Sequence, residues 1–254
     1  MKTDLSGGLI QAAIVSALAL AVALYARRLG IHLLRDLAAA LGRGLSQICA
    51  VGLILIVVLK GPWWMSPLVL AGMIGAAAKT SSRRSRRFPR AGRISLYAIL
   101  AGAGSVIFLM AMAGVIDRSA GALVPVGSML IANAMNANAL AMERFAREVQ
   151  SHVGEIETAL ALGAAAESTV GEYSTAALQT SLIPTVDNLR SLGIVWIPGI
   201  MAGMVLSGAA PLAAAVYQFV VLAMIFCSSS VTCMVSTRLM RRRAFTEAEQ
   251  LIRS

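Results

Sequence analysis

Charge and aromatic rings are scarce in this chain. Of its 254 residues 13% are charged and 5% aromatic, against 58% hydrophobic. Mean hydropathy is +0.77. Soluble domains carry about a quarter charged residues, so this composition excludes a soluble domain, a disordered chain and a coiled coil. Histidine is limited to His32 and His152, and cysteine to Cys49, Cys227 and Cys233. The three thiols lie in apolar stretches and read as small hydrophobes rather than a disulfide framework. Phosphate-loop and dinucleotide signatures are missing. Lys79-Thr80 follows Ala78 where a P-loop needs glycine, and Gly102-Ala103-Gly104 lacks the third glycine. Carboxylates are absent from the interior of every apolar run, which argues mildly against proton- or ion-coupled transport.

What the chain has in quantity is apolar length. A spanning helix needs about 20 mostly apolar residues. Seven stretches approach this: 8–26, 45–59, 63–78, 94–116, 120–142, 189–206 and 212–237. The expectation is an all-α polytopic membrane protein with about seven transmembrane helices, forming one integral domain over residues 1–254. The first run lacks a convincing cleavage site and is expected to remain as a span.

The net charge of +10 comes from 22 Lys and Arg against 12 Asp and Glu. The basic residues sit between apolar segments, where they orient a membrane protein. Nucleic acid is the weaker reading. With the N-terminus outside, 19 Lys and Arg fall on the inner side. Only Lys2, Lys60 and Arg118 fall outside. The C-terminus is then cytoplasmic, in the cell's inner (plasma) membrane. Trp63 and Trp64 beside Lys60 fit an outer aromatic belt.

Two stretches look amphipathic. Residues 31–44 carry Leu33, Leu34, Leu37 and Leu41 among Arg35, Asp36 and Arg43, as an interfacial elbow would. Residues 143–188 hold most of the acids together with helix-period apolar positions, so a folded cytoplasmic segment is expected there. Its length exceeds an ordinary connection and invites a partner.

In the fifth span Met129, Asn133, Asn136 and Leu140 share one helix face. Amides in hydrocarbon serve either as helix–helix glue or as a substrate-facing stripe. The sixth span contains Pro198, Gly199, Met201 and Gly203. Pro198 would break the helix and Gly199-x-x-x-Gly203 would permit close contact, so this is a packing face, a gate, or both.

Three stretches then bear a family resemblance: 125–135, 155–184 and 192–218, the last reading LGIVWIPGIMAGMVLSGAAPLAAAVYQ. With Arg43, Gln47 and Gly52, they resemble the FetB/YbbM type of ABC transporter permease. That family includes bacterial iron exporters and the plant aluminium-sensitivity permease. The resemblance implies a permease that binds no cofactor itself, with ATP and magnesium held by a separate ATPase subunit, and a permease homodimer. Its substrate pathway would involve Met129, Asn133, Asn136, Pro198, Gly199, Met201 and Gly203. Residues 157–163 match the E-x-A-x-x-x-G start of the importer coupling motif. The implied docking residues are Glu155, Glu157, Ala159, Gly163 and, at the motif's end, Pro184. The implied cargo is a metal ion such as iron. Ala132, Trp196, Ala202 and Met204 depart from the family pattern toward a less polar pathway. A polar organic solute such as a nucleotide sugar therefore stays open, as does an ATP-independent channel or scaffold.

Overall fold

Apolar side chains face outward along the long helices. Leu9, Ile10, Ile14 and Leu18 on the first helix, and Leu53, Ile54, Ile56 and Val57 on the second, are each half exposed or more. Soluble monomers rarely expose such continuous surface, and hydrocarbon is its natural solvent. The computed structural model describes residues 5–32, 34–83, 88, 90–246 and 250–252. Lys2, Leu33, Arg84, Arg86, Arg87 and Arg253, used above for charge and amphipathicity, lie outside the described residues.

The helices are α1 (Leu5–Arg28), α2 (Leu34–Lys60), α3 (Met65–Ser82), α4 (Ala91–Ile99), α5 (Ser105–Met112) and α6 (Ala120–Ser151). They continue with α7 (Val153–Ala161), α8 (Ala166–Thr169), α9 (Gly171–Ser191), α10 (Gly199–Leu206) and α11 (Pro211–Arg243). A π-helical turn, Leu100–Gly104, joins α4 to α5. No strand occurs among the described residues, so the protein is an all-α polytopic membrane protein. Among the described residues five helices are long and apolar enough to cross a bilayer: α1, α2, the continuous Ala91–Met112, α6 and α11.

Three sequence expectations change. Residues 34–60 form one unbroken helix of 27 residues, about 40 Å long. The elbow at 31–44 and the short second span are therefore parts of a single α2. No proline interrupts it, and its glycines are tolerated in a helix interior at about 1 kcal/mol each. The expected sixth span, 189–206, is broken. α9 ends at Ser191, Gly193 takes φ +74°, and only Gly199–Leu206 is helical again. Those eight residues rise about 12 Å, under half of the hydrocarbon thickness. Pro198 precedes α10 with extended backbone (φ −66°, ψ 147°) rather than kinking a longer helix. Residues 65–78 of the expected third span fall in α3, whose last turn holds polar Lys79–Ser82, and α3 is not among the five apolar spans.

The chain divides into two compact units, Met1–Pro62 and Trp63–Ser254. The first is the α1–α2 hairpin. In the second, α6 and α11 form the central pair, with α3, α4 and α9 packed around them. Its main core holds Leu70, Ile74, Ile99, Val126, Leu130, Val221 and Ile225. Gly102 allows the π-turn to press against α11. A Cβ there would run into the Thr232 hydroxyl and lie 2.6 Å from the Ser228 carbonyl oxygen. Asn138 is fully buried and donates to Ser81 Oγ (2.7 Å) and Ser95 Oγ (3.0 Å). One amide thus ties α6 to α3 and α4, which is the glue role.

A second core closes the end of this unit where α4 starts and α6 and α11 finish. Phe88, Ile94, Phe145, Val149, Ile156, Val170, Ala177 and Met240 are buried in it. Phe88 and Phe145 meet edge to face at 6.2 Å, a favoured aromatic geometry. Arg90, Arg93, Arg144, Arg147, Arg241, Arg242 and Arg243 belong to the same helix ends. Positive charge is therefore sorted to one end of the unit, as an inner face requires.

Candidate substrate cavity and inner docking helix

The break between α9 and α10 opens a cavity of roughly 110 Å³. α6 supplies Met129 and Asn133, α9 supplies Thr185 and Asn188, the connection supplies Trp196 and Pro198, α10 supplies Gly199, and α11 supplies Gln218, Leu222 and Ile225. The cavity exists because α9 stops short. A continuous helix through residues 192–198 would fill that space with its own side chains. Its lining is uncharged and mixed: three amides, one hydroxyl, one indole and one thioether stand beside Pro198, Gly199, Leu222 and Ile225.

Asn133 Nδ2 donates to the Met129 carbonyl oxygen (2.9 Å), which leaves its Oδ1 for another partner. Gln218 is 1% exposed, and neither Oε1 nor Nε2 has a hydrogen-bond partner among the described residues. A buried amide without partners costs about 1–3 kcal/mol per group. Such a side chain facing a cavity marks a place built for something other than packing. Further along α11, Ser228, Ser229 and Ser230 are buried with unpartnered hydroxyls among the described residues.

Of the pathway residues expected from sequence, Met129, Asn133, Pro198 and Gly199 come together in this cavity. Asn136 is exposed on α6, and Met201 and Gly203 lie on α10 outside the lining. A Cβ added to Gly199 or Gly203 would meet nothing within 4 Å, so their shared face is uncovered in this chain. Sequence reading passed over Gln218, Thr185 and Asn188. Gln218 had a usable signal, because it is an amide inside an otherwise apolar run. Thr185 and Asn188 lay in a stretch read as wholly cytoplasmic.

Of the residues expected from sequence to dock a partner, Glu155, Glu157 and Ala159 lie on α7, away from the cavity, and Gly163 follows its end. α7 begins where α6 ends, at His152, and finishes at Ala161. Its end is a Schellman cap: Gly163 N–H bonds to the Leu160 carbonyl (3.0 Å) and Ala164 N–H to the Ala159 carbonyl (3.0 Å). Gly163 has φ +87°, a conformation other L-residues adopt at a cost of about 1–2 kcal/mol. Leu162 is 85% exposed beside it. Glu155 and Glu157 are both exposed, while Ile156 between them is buried in the inner core.

α7 is held to α9 by specific contacts. Tyr173 Oη donates to Glu155 Oε2 (3.1 Å), and the Tyr173 ring stacks on His152 at 4.6 Å. Desolvation, then the bond to Glu155, raises the phenol pKa above its usual value, so this proton stays in place at neutral pH. Arg242 of α11 pairs with Glu167 of α8 (3.8 Å). Pro184 is exposed on α9, one residue before cavity-lining Thr185. Its missing N–H frees the Thr180 carbonyl, a local weakness in the helix.

A family model covers residues 9–245, that of the uncharacterised protein family UPF0014. The chain belongs to the UPF0014 family. The UPF0014 membrane protein STAR2 of Oryza sativa subsp. japonica is 32% identical over 97% of this chain and 87% of its own length. The protein ALUMINUM SENSITIVE 3 of Arabidopsis thaliana is 33% identical over 70% of this chain and 66% of its own length. The probable iron export permease protein FetB of Escherichia coli K12 is 27% identical over 86% and 85%. No solved structure matches. This UPF0014 member is thus an integral membrane protein of a transporter permease family, and the sequence resemblance to the FetB type holds. Among the described residues no three His, Cys, Asp or Glu side chains converge on a metal-binding point.

Proposed function

We propose that this protein is the membrane-spanning subunit of an ATP-binding cassette exporter. Residues 1–254 act as one permease domain, the active unit is a homodimer, and a separate ATPase subunit holds ATP and magnesium. The N-terminus lies outside and the C-terminus in the cytoplasm, as the basic inner end supports. The cargo is a metal ion such as iron, a reading supported by the similarity to the iron export permease. The uncharged lining of the cavity favours a second reading of the cargo, a polar organic solute.

One observation carries the proposal. α9 bears both the cavity residues Thr185 and Asn188 and, nearer its start, Tyr173, which bonds to Glu155 of α7. From Tyr173 to Thr185 the helix rises about 18 Å. A partner that tilts α7 therefore acts on a helix whose far end, past the weak point at Pro184, lines the cavity. The acids of α7 and the exposed Leu162 suit insertion of a short helix into a partner groove. ATP binding in the partner would reshape the α9–α10 break and change which side the cavity faces.

The test is ATP-driven efflux of iron from inside-out-equivalent vesicles carrying the permease and its ATPase. Glu157→Arg and Gly163→Trp are each expected to abolish transport while the permease remains folded. Undiminished transport by both variants would remove the docking role of α7.

A further inference from the structure

The amide of Gln218 is buried, faces the cavity, and has an acceptor and two donor hydrogens unengaged by any described residue. No carboxylate, thiolate, imidazole or cationic group joins it in the lining. A bare divalent cation would enter such a neutral pocket with its hydration lost and no opposing charge, at a prohibitive electrostatic cost. A ligand that presents O–H groups avoids that cost. It donates to Gln218 Oε1 and to the free Oδ1 of Asn133, and it accepts from Gln218 Nε2. The volume of roughly 110 Å³ leaves room for several water-sized groups.

We infer that Gln218 is the residue that reads the transported species, through oxygen-bound hydrogens on its outer shell. Those hydrogens belong either to the water ligands of a hydrated cation or to the hydroxyls of an organic solute. The inference rests on the permease reading for the word transported. Binding itself is independent of any ATPase. A site with an amide at this position discriminates by hydrogen bonding, since a partner lacking it leaves Gln218 unpaired again.

The experiment uses the full chain in nanodiscs with Trp63→Phe and Trp64→Phe, so that cavity-lining Trp196 is the sole indole reporter. Two probes are titrated separately: iron(II) under argon, and erythritol. Gln218→Leu is expected to weaken whichever probe binds by about ten- to a hundredfold. A thermal unfolding midpoint at or above the parent's verifies the fold. Gln218→Asn, which keeps the amide but withdraws it by one methylene, should fall between. Gln218→Glu separates the sources. It tightens a cation, increasingly as pH rises, and weakens a hydroxyl solute. A Gln218→Leu protein that binds as the parent does would overturn the inference, and so would a parent protein saturated by neither probe. Binding lost on Gln218→Leu in a protein that never engages an ATPase would support this inference and refute the permease reading.

Discussion

Replacing Gly163 with alanine is the sharpest perturbation of the docking helix. The backbone there sits at φ +87°, and a Cβ would meet nothing within 4 Å. The penalty is therefore conformational rather than steric. A left-handed L-residue costs about 1–2 kcal/mol. Alanine also stiffens the unfolded segment, which offsets about 0.4–1 kcal/mol of that. The net loss is about 1 kcal/mol, a roughly fivefold drop in the ratio of capped to uncapped α7 ends. A partner that recognises only the capped form loses apparent affinity in proportion to the capped fraction, by at most that factor. The assay is a titration of the purified permease against its ATPase, with hydrogen exchange over residues 157–164 as the local readout. Gly163→Asn tolerates φ > 0 and is expected to lose less. Gly163→Val is expected to lose more than alanine. Equal affinities for glycine, alanine and valine would refute the claim that the partner reads this cap.

Other substitutions test separate links. Gly102→Ala sets a methyl against the Thr232 hydroxyl and the Ser228 carbonyl. It is expected to lower thermal stability in detergent by about 1–3 kcal/mol or more, without rescue by Thr232→Ala, because the carbonyl remains. Asn138→Leu removes the donor shared by the Ser81 and Ser95 hydroxyls and is expected to reduce assembly by about 1–3 kcal/mol. Asn133→Leu, on the cavity, should impair transport-linked ATPase more than assembly, and a loss of expression alone would return Asn133 to a packing role. Ile156→Ala hollows the inner core beneath α7 and should cost about 2–5 kcal/mol, read as early hydrogen exchange in α7 with the spans still protected.

Much of this architecture was legible in the chain, for definable reasons. α1, α6 and α11 announce themselves through apolar length, and the basic residues identify one end of the bundle. The E-x-A-x-x-x-G spacing located α7 and its terminating Gly163. The same window average concealed the break at residues 192–198. Ile194, Val195 and Ile197 are apolar, but they are 85%, 78% and 69% exposed in a turn rather than part of a span. Hydropathy measures where a side chain is comfortable, and in a bilayer both a helix and an irregular stretch beside a cavity can qualify. The elbow at 31–44 failed for the opposite reason. Its charges suggested a boundary, yet α2 runs on through them because helix ends extend beyond the hydrocarbon. The cavity was half legible. Met129 and Asn133 stand out by spacing on one helix. Gln218, Thr185 and Asn188 reach the same space from distant segments, and only the return of α9 against α6 and α11 assembles them.

The central claim is that α7 couples this permease to a separate ATPase. Its most direct test is co-purification in detergent of the tagged permease with the host's unassigned ABC ATPase, followed by ATPase assays across iron, other metals and nucleotide sugars. The account predicts a stable complex whose hydrolysis rises with one ligand and whose assembly fails in Glu157→Arg. An ATPase that never associates in any condition, with the permease folded and Trp196 still responsive to ligand, would contradict it and point to an ATP-independent channel.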